Sequence, residues 1–224
     1  MAKRLFDVVF ASIGLVLSAP ILLVGAIGIR VSSPGPIFYR AIRVGAWRRP
    51  FVMYKLRSMH VQDTAASAIT AKEDARIFRF GEWLRRSKLD ELPQFLNILR
   101  GDMSFVGPRP EDPKFVEEHY TRADLETLEV RPGLTSPASL YDYVHGEPNL
   151  TSGDVEQQYV EQLLPIKLAL EIVYVRHASL AYDLAIIGRT IRTIVLVLLG
   201  RREFPELPEL DEARTLLGVR TAAI

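Results

Sequence analysis

The densest run of polar chemistry in the 224-residue chain is Leu84-Arg85-Arg86-Ser87-Lys88-Leu89-Asp90-Glu91-Leu92-Pro93-Gln94. Neighbouring carboxylates beside cations can divide the work at a phosphorus centre. One attacks and carries the transferred group, while the other holds Mg²⁺, a hard cation that prefers oxygen ligands and substrate phosphates. Pro93 suits the first turn of a helix, where its missing N–H costs little, so Asp90 and Glu91 are expected at or just before a helix amino terminus. The helix dipole and the three basic residues upstream are expected to lower the Asp90 pKa. Taken alone, the run fits a solvated capping cluster better than a catalytic pair, because charged helix starts are common.

Two loops are armed with arginine. In Gly107-Pro108-Arg109-Pro110 the prolines Pro108 and Pro110 stiffen the backbone that carries the guanidinium, and Arg131-Pro132-Gly133 repeats the device. Arginine makes bidentate contacts to phosphate oxygens, and a stiff backbone limits the entropy lost on binding. Either loop alone is also what an ordinary turn looks like. His60, His119, His145 and His177 show no metal-ligand spacing, and the chain has no cysteine, which excludes disulfides, thiolate metal sites and a cysteine nucleophile. The absence of GxGxxG, Walker A and GxSxG patterns speaks against a dinucleotide enzyme, a P-loop kinase and a serine hydrolase.

Several elements must position these groups. Ile77, Phe80 and Leu84 fall at helical spacing, as do Leu92, Phe95, Leu96 and Leu99, which predicts two amphipathic helices flanking Ser87 to Glu91, the second ending at Gly101. Ile37 to Val44 and Phe51 to Leu56 read as a β-hairpin, and Gln62 to Ala71 as a flexible loop. The proline-rich segment Val106 to Pro113 reads as irregular, and Pro132-Gly133 as a turn. Helical patterns return over Val155 to His177 and Tyr182 to Leu199; the apolar run Ile194 to Leu199 is too short to span, so this helix packs in the core or lies along a membrane surface. From Arg201 onward a loosely held tail is expected.

At the other end, Val8 to Ile29 carries no charge. At ~1.5 Å per residue such a helix about matches a hydrocarbon core of roughly 30 Å. It is long for a signal peptide, and Ser33-Pro34-Gly35-Pro36 is a poor cleavage signal. Pro20 has no N–H for the Val16 carbonyl, so a kink is expected at Ser18-Ala19-Pro20, with Ser18 able to bond back to a carbonyl. Lys3 and Arg4 precede the run and Arg30 to Arg57 follow it, so the positive-inside tendency draws both ends to one side. The residues leave a one-leaflet hairpin and a Pro-kinked span both open.

The whole chain, 48% hydrophobic and 25% charged, balances 28 Lys plus Arg against 27 Asp plus Glu, a net of +1 that excludes a protein-wide nucleic-acid footprint. That balance is a partition. Residues 1 to 62 hold nine basic side chains against one acid, Asp7, for +8, and the remainder 19 against 26, for −7. A basic amino-terminal third suits an anionic membrane surface.

These motifs, in this order, resemble the bacterial sugar transferases, the small monotopic phosphoglycosyl transferases. The match runs through Lys3-Arg4-x-Phe6-Asp7, Ser33-Pro34-Gly35-Pro36-Ile37-Phe38-Tyr39-Arg40, Met53-Tyr54-Lys55-Leu56-Arg57-Ser58-Met59, Asp74-x-Arg76-Ile77 and Leu89-Asp90-Glu91-Leu92-Pro93-Gln94. It continues through Gly101-Asp102-Met103-Ser104-x-Val106-Gly107-Pro108-Arg109-Pro110-Glu111 and Arg131-Pro132-Gly133-Leu134-Thr135. The resemblance implies a mostly α fold with a small β-hairpin (α+β). It implies a re-entrant membrane helix-break-helix over 1–32, kinked at Ser18 and Pro20, then a compact cytosolic catalytic domain over 33–200 with surface amphipathic helices, and a tail over 201–224. The implied protein is monotopic on the cytoplasmic face of a bacterial inner membrane, among its lipids. The implied reaction passes a phosphosugar from a UDP-sugar to polyprenyl phosphate with Mg²⁺, releases UMP and starts glycan assembly. By the same matching Asp90 is the nucleophile and Glu91 serves the metal. Arg109 and Arg131, with Pro108 and Pro110, handle nucleotide or phosphate groups; Arg85 and Lys55 are further candidates. No nucleic-acid partner is expected, and a homodimer is left open. Competing readings are a membrane-anchored scaffold without turnover and a glycosyltransferase that releases UDP. Ala41, the Gly45-Ala46-Trp47-Arg48-Arg49 loop and Ser136-Pro137-Ala138-Ser139 depart from the usual pattern, which leaves the sugar and the acceptor contacts unassigned.

Overall fold

The structure, a computed structural model, describes residues 1–61, 74–146 and 155–222; the expected loop Gln62 to Ala71 lies outside them. The apolar segment forms one helix, α1 (Ala2–Ser32), long and apolar enough to cross a membrane by length and composition. Helical backbone continues through Pro20, so the segment is a single helix where a helix, break and helix were expected. One missing donor does not end a helix whose other peptide groups still pair internally. Ser18 is buried, and its hydroxyl donates to the Leu15 carbonyl at 3.3 Å.

Asp7, Ala11, Ser18, Gly25 and Ile29 are buried, a single stripe at helical spacing. That stripe lies along the rest of the protein from end to end. Near the start, the Lys3 ammonium reaches the Asp183 carboxylate and the Val106 carbonyl, Arg4 donates to the carbonyls of Ile98 and Leu99, and Asp7 accepts from the Ser104 hydroxyl and the Phe105 N–H. Near the finish, Ser33 accepts from the Arg57 guanidinium through both its hydroxyl and its carbonyl. Gly28 admits Phe80 so closely that a Cβ there would lie 2.3 Å from the ring.

The hairpin follows as β1 (Phe38–Val44) and β2 (Pro50–Leu56), antiparallel with Phe38 opposite Leu56 and Val44 opposite Pro50. Next come α2 (Arg79–Arg86), a 3₁₀ turn (Leu89–Gln94) and α3 (Phe95–Arg100), which Gly101 ends with φ 89° as expected of a left-handed stop. The strand β3 (Ser104–Val106) leads to α4 (Pro113–His119), and β4 (Gly133–Thr135) pairs with β3 in parallel. After α5 (Pro137–Tyr141), α6 (Val155–Gln158) runs through a π turn (Tyr159–Leu163) into α7 (Leu164–His177). Last are α8 (Leu180–Leu198) and α9 (Leu210–Ala222).

The architecture is mostly helical with small sheets, and α7 is its centre: Leu168 to Tyr174 is buried on every side. Only Asp183 and Ile186 of α8 are buried, which leaves Leu184, Ile191, Val195 and Leu198 exposed on its surface. The expected loose tail is corrected by α9. Leu210 and Ala213 are buried against Ala138, Ala169, Leu170 and Val173, so apolar burial holds this segment to α7.

Candidate active site

Asp90 and Glu91 sit in the 3₁₀ turn that opens into α3, at the helix start that Pro93 marks. Lys88, in the left-handed region at φ 55°, turns the chain into it. Leu89 packs with Ile29, Leu56, Phe78 and Leu84, and so fixes the turn against α1, β2 and α2. The fully buried Asn97 ties α3 to the hairpin, accepting from Tyr54 N–H at 3.1 Å and donating to the Val52 carbonyl at 2.7 Å. This places Lys55 of β2 opposite the acidic pair.

Both carboxylates are buried, at 5% and 7% exposure. Glu91 Oε1 accepts from Lys55 Nζ at 3.0 Å and from Arg109 Nη2 at 3.3 Å, and no described residue bonds its Oε2. Asp90 Oδ1 is buried without a hydrogen-bond partner among the described residues. Burial alone would raise the Glu91 pKa, but Lys55, Arg109 and Lys88 overcome it and hold the carboxyl well below the usual range. Asp90 moves the other way: burial and the Glu91 charge raise its pKa against the pull of Lys55, Lys88 and Arg85. The expectation of a lowered Asp90 is therefore corrected. Upstream cations are present, but desolvation and a like charge one residue away outweigh them.

The Arg109 loop is held from behind by α7. Glu171 Oε1 accepts from the Arg109 backbone N–H at 2.9 Å and from the Ser136 hydroxyl at 2.8 Å. One turn earlier, Lys167 Nζ lies 2.7 Å from the Tyr159 hydroxyl, 3.3 Å from Asp142 Oδ2 and 3.6 Å from Glu111 Oε1. Pro108 and Pro110 are buried, and the Pro108 carbonyl accepts from Gly133 N–H at 2.8 Å. A Cβ on Gly133 would fall 2.1 Å from the Gly107 nitrogen, so only glycine allows the two arginine loops to touch.

Residues 1–197 match the family model described as bacterial sugar transferase. The chain belongs to that family. Among its relatives, the UDP-glucose:undecaprenyl-phosphate glucose-1-phosphate transferase of Xanthomonas campestris pv. campestris is 39% identical over 195 residues, 85% of this chain and 38% of the relative. The putative undecaprenyl-phosphate N-acetylgalactosaminyl 1-phosphate transferase of Bacillus subtilis (strain 168) is 47% identical over 117 residues, 52% of this chain and 65% of the relative. The UDP-glucose:undecaprenyl-phosphate glucose-1-phosphate transferase of Caulobacter vibrioides is 36% identical over 199 residues, 87% of this chain and 70% of the relative. The chain thus spans less than two thirds of the length of the first two.

In this bacterial sugar transferase, Asp90, Glu91, Lys55 and Arg109 come together in one cluster. Arg85 closes the last turn of α2, where its charge acts on Asp90. Arg131 does not join them: its Nε donates to the Gly101 carbonyl at 2.9 Å, and no described contact links it to the acidic pair. Its loop contributes through backbone. Glu171 and Lys167 are absent from the sequence expectations, and Ser136 stands there only as part of a departure from the usual pattern. Two charges one turn apart in the otherwise apolar stretch Leu164 to Val175 were the signal that could have found the first two.

Mg²⁺ usually takes one or two protein carboxylates and keeps water or substrate phosphate for the rest. Asp90 Oδ1, buried without a partner among the described residues, and the neighbouring Glu91 carboxylate fit a cation held partly by substrate. No cluster of three acidic or imidazole groups exists among the described residues to hold one without it.

Proposed function

We propose that this bacterial sugar transferase moves a phosphosugar from a UDP-sugar to polyprenyl phosphate and releases UMP. The observation that carries this reading is a buried Asp90 with an unpartnered oxygen, set beside Glu91 and within the field of Lys55, Lys88, Arg85 and Arg109. A raised proton affinity makes the ionised Asp90 the more reactive nucleophile of the pair, and the incoming diphosphate meets cations rather than bulk water.

In the first step an Asp90 oxygen bonds to the sugar-bearing phosphorus, the bond from that phosphorus to the bridging oxygen breaks, and UMP leaves with the electron pair. In the second, a phosphate oxygen of the acceptor attacks the same phosphorus and Asp90 leaves as a free carboxylate. Glu91 is kept ionised by Lys55 and Arg109 and would hold Mg²⁺, which when bound neutralises charge on the diphosphate. Arg109, fixed by Glu171 behind it, orients phosphate oxygens.

We read α1 as lying in one leaflet, on the cytoplasmic face of the inner membrane. The support is mechanical: Lys3 and Arg4 at one end and Ser33 at the other bind the same globular body, so both ends belong on its side of the bilayer. Membranes carrying the protein, given undecaprenyl phosphate and a panel of UDP-sugars, are expected to release UMP. Release of UDP would make it a glycosyltransferase, and no nucleotide release with any donor would make it a scaffold; either result overturns the proposal.

A further inference from the structure

Lys88 stands two residues before Asp90, at φ 55°, in the left-handed region where glycine or asparagine is the easy choice. Its backbone is fixed on both sides: its N–H donates to the Arg85 carbonyl at 3.1 Å, and its carbonyl accepts from Glu91 N–H at 3.2 Å. The next side chain, Leu89, packs on Ile29 of α1, whereas the Lys88 ammonium lies over the Tyr143 ring, 4.5 Å from its centroid. Tyr143 belongs to a π turn, Asp142–Gly146, that continues α5. Its hydroxyl donates to the Arg86 carbonyl at 2.6 Å, so one side chain holds both the ammonium and the backbone leading to it.

The π turn is anchored to α7, where Lys167 Nζ lies 3.3 Å from Asp142 Oδ2. From adjacent turns α7 therefore braces two cations: Arg109 through Glu171, and Lys88 through Lys167, Asp142 and Tyr143. They differ in what is left to bind. Lys55 and Arg109 each give a donor to Glu91. The half-buried Lys88 ammonium has three donors and makes no hydrogen bond or ion pair among the described residues; the Tyr143 face attracts its charge without accepting as a carboxylate would. The turn that follows keeps two further polar atoms buried and unpartnered among the described residues, Asp90 Oδ1 and Gln94 Nε2. A cation withdrawn from water beside a nucleophile, with its donors unused, is built to receive an anion.

We propose that Lys88 is a further substrate-binding residue, donating to the diphosphate of the UDP-sugar, and that Tyr143 is a positioning residue that holds it in place. This rests on the phosphosugar-transfer reading and adds to it a cation and its brace. Phosphate is common to the donor and to the polyprenyl acceptor. The donor is favoured because Lys88 is held from the side of α5 and α7, while α1, the element long and apolar enough for a membrane, is met by Leu89. An ammonium so placed offsets negative charge on the diphosphate as UMP leaves.

The test uses the full-length protein in lipid nanodiscs with Mg²⁺. Calorimetric titration with UDP reads donor affinity without turnover, and UMP release in the presence of undecaprenyl phosphate reads the KM of each substrate. Lys88→Gln and Lys88→Asn, the second suited to left-handed backbone, are each expected to weaken UDP binding and raise the UDP-sugar KM by about ten-fold or more, the loss of one charge-assisted hydrogen bond. The acceptor KM should stay unchanged, which shows that the fold is intact, and Lys88→Arg should recover most of the UDP affinity. Tyr143→Leu should raise the UDP-sugar KM by about two- to five-fold and add nothing on top of Lys88→Gln. An equal further loss in the double variant makes Tyr143 merely structural and overturns its role. Unchanged UDP affinity in both charge-removing variants overturns the Lys88 assignment even if the rate falls, because Lys88 then acts only through its field on Asp90. A rise in the acceptor KM in place of the donor KM overturns the choice of donor. Absence of UMP release from the unmodified protein overturns the transfer reading itself, and the UDP titration then decides Lys88 separately.

Discussion

Glu171→Gln removes a buried charge while leaving an oxygen for the Arg109 N–H and the Ser136 hydroxyl. Burial pushes the Glu171 carboxyl from the ordinary 4.5 up to about 7, against the two hydrogen bonds and Lys167, which pull it down. The folded state therefore binds this proton more tightly than the unfolded chain does. Its contribution to stability is complete below about pH 4.5 and is lost as pH rises through about 7. At about 1.4 kcal/mol for each unit between the two values, the loss is about 3 kcal/mol by pH 8. Glutamine does not titrate, so the stability difference should swing by about 3 kcal/mol in favour of the variant between pH 4.5 and 8. Its Nε2 would stand where Oε2 has no partner, a penalty of about 1–3 kcal/mol that is the same at every pH and leaves the swing untouched. Urea unfolding of the detergent-solubilised protein, followed by fluorescence of Trp47 and Trp83 across that pH range, measures it. Parallel stability curves for the two proteins would refute the claim that Glu171 is buried with a raised pKa.

Asp90→Asn should abolish turnover and any phosphosugar adduct detectable by intact-protein mass spectrometry, while membrane association is retained; a normal rate would end the covalent mechanism. Gly133→Ala places a methyl 2.1 Å from the Gly107 nitrogen, so β3 and β4 must separate, and a loss of about 2 kcal/mol or more is expected in denaturant titrations. Leu210→Ala, at a side chain 3% exposed on α9, should cost about 2–4 kcal/mol by the same measurement. A negligible cost would restore the picture of a loose tail.

The acidic pair, the hairpin, the stop at Gly101 and the proline-stiffened Arg109 loop were legible because each is written in neighbouring residues. Pro93 marks a helix start and Gly101 a helix end through local backbone chemistry alone. The direction of the Asp90 pKa was not legible. It depends on burial supplied by α1 and β2, which lie far away in the chain, and local charge counting points the wrong way. The pairing of β3 with β4 escaped for a different reason: three residues per strand leave no periodicity to read. Arg131 looked like a second phosphate arm, yet its guanidinium caps the end of α3, and only its backbone meets the Arg109 loop. Lys167 and Glu171 were hidden by the strongly apolar pattern around them, which reads as core.

The stripe by which α1 grips the body has a consequence for the order of assembly. α1 is synthesised before every partner it needs: Asp7 waits 97 residues for Ser104, and Lys3 waits 180 for Asp183. Until β3 and α8 exist, the first turns of α1 carry Lys3, Arg4 and Asp7 without their distal partners, and burying those charges in hydrocarbon is costly. The nascent segment can rest against a bilayer, but it gains nothing from pushing its charged end across. Completion of the distal helices then turns a provisional lipid contact into a fixed one, so docking of α8 is expected to be a late, slow event that sets the final depth of the anchor.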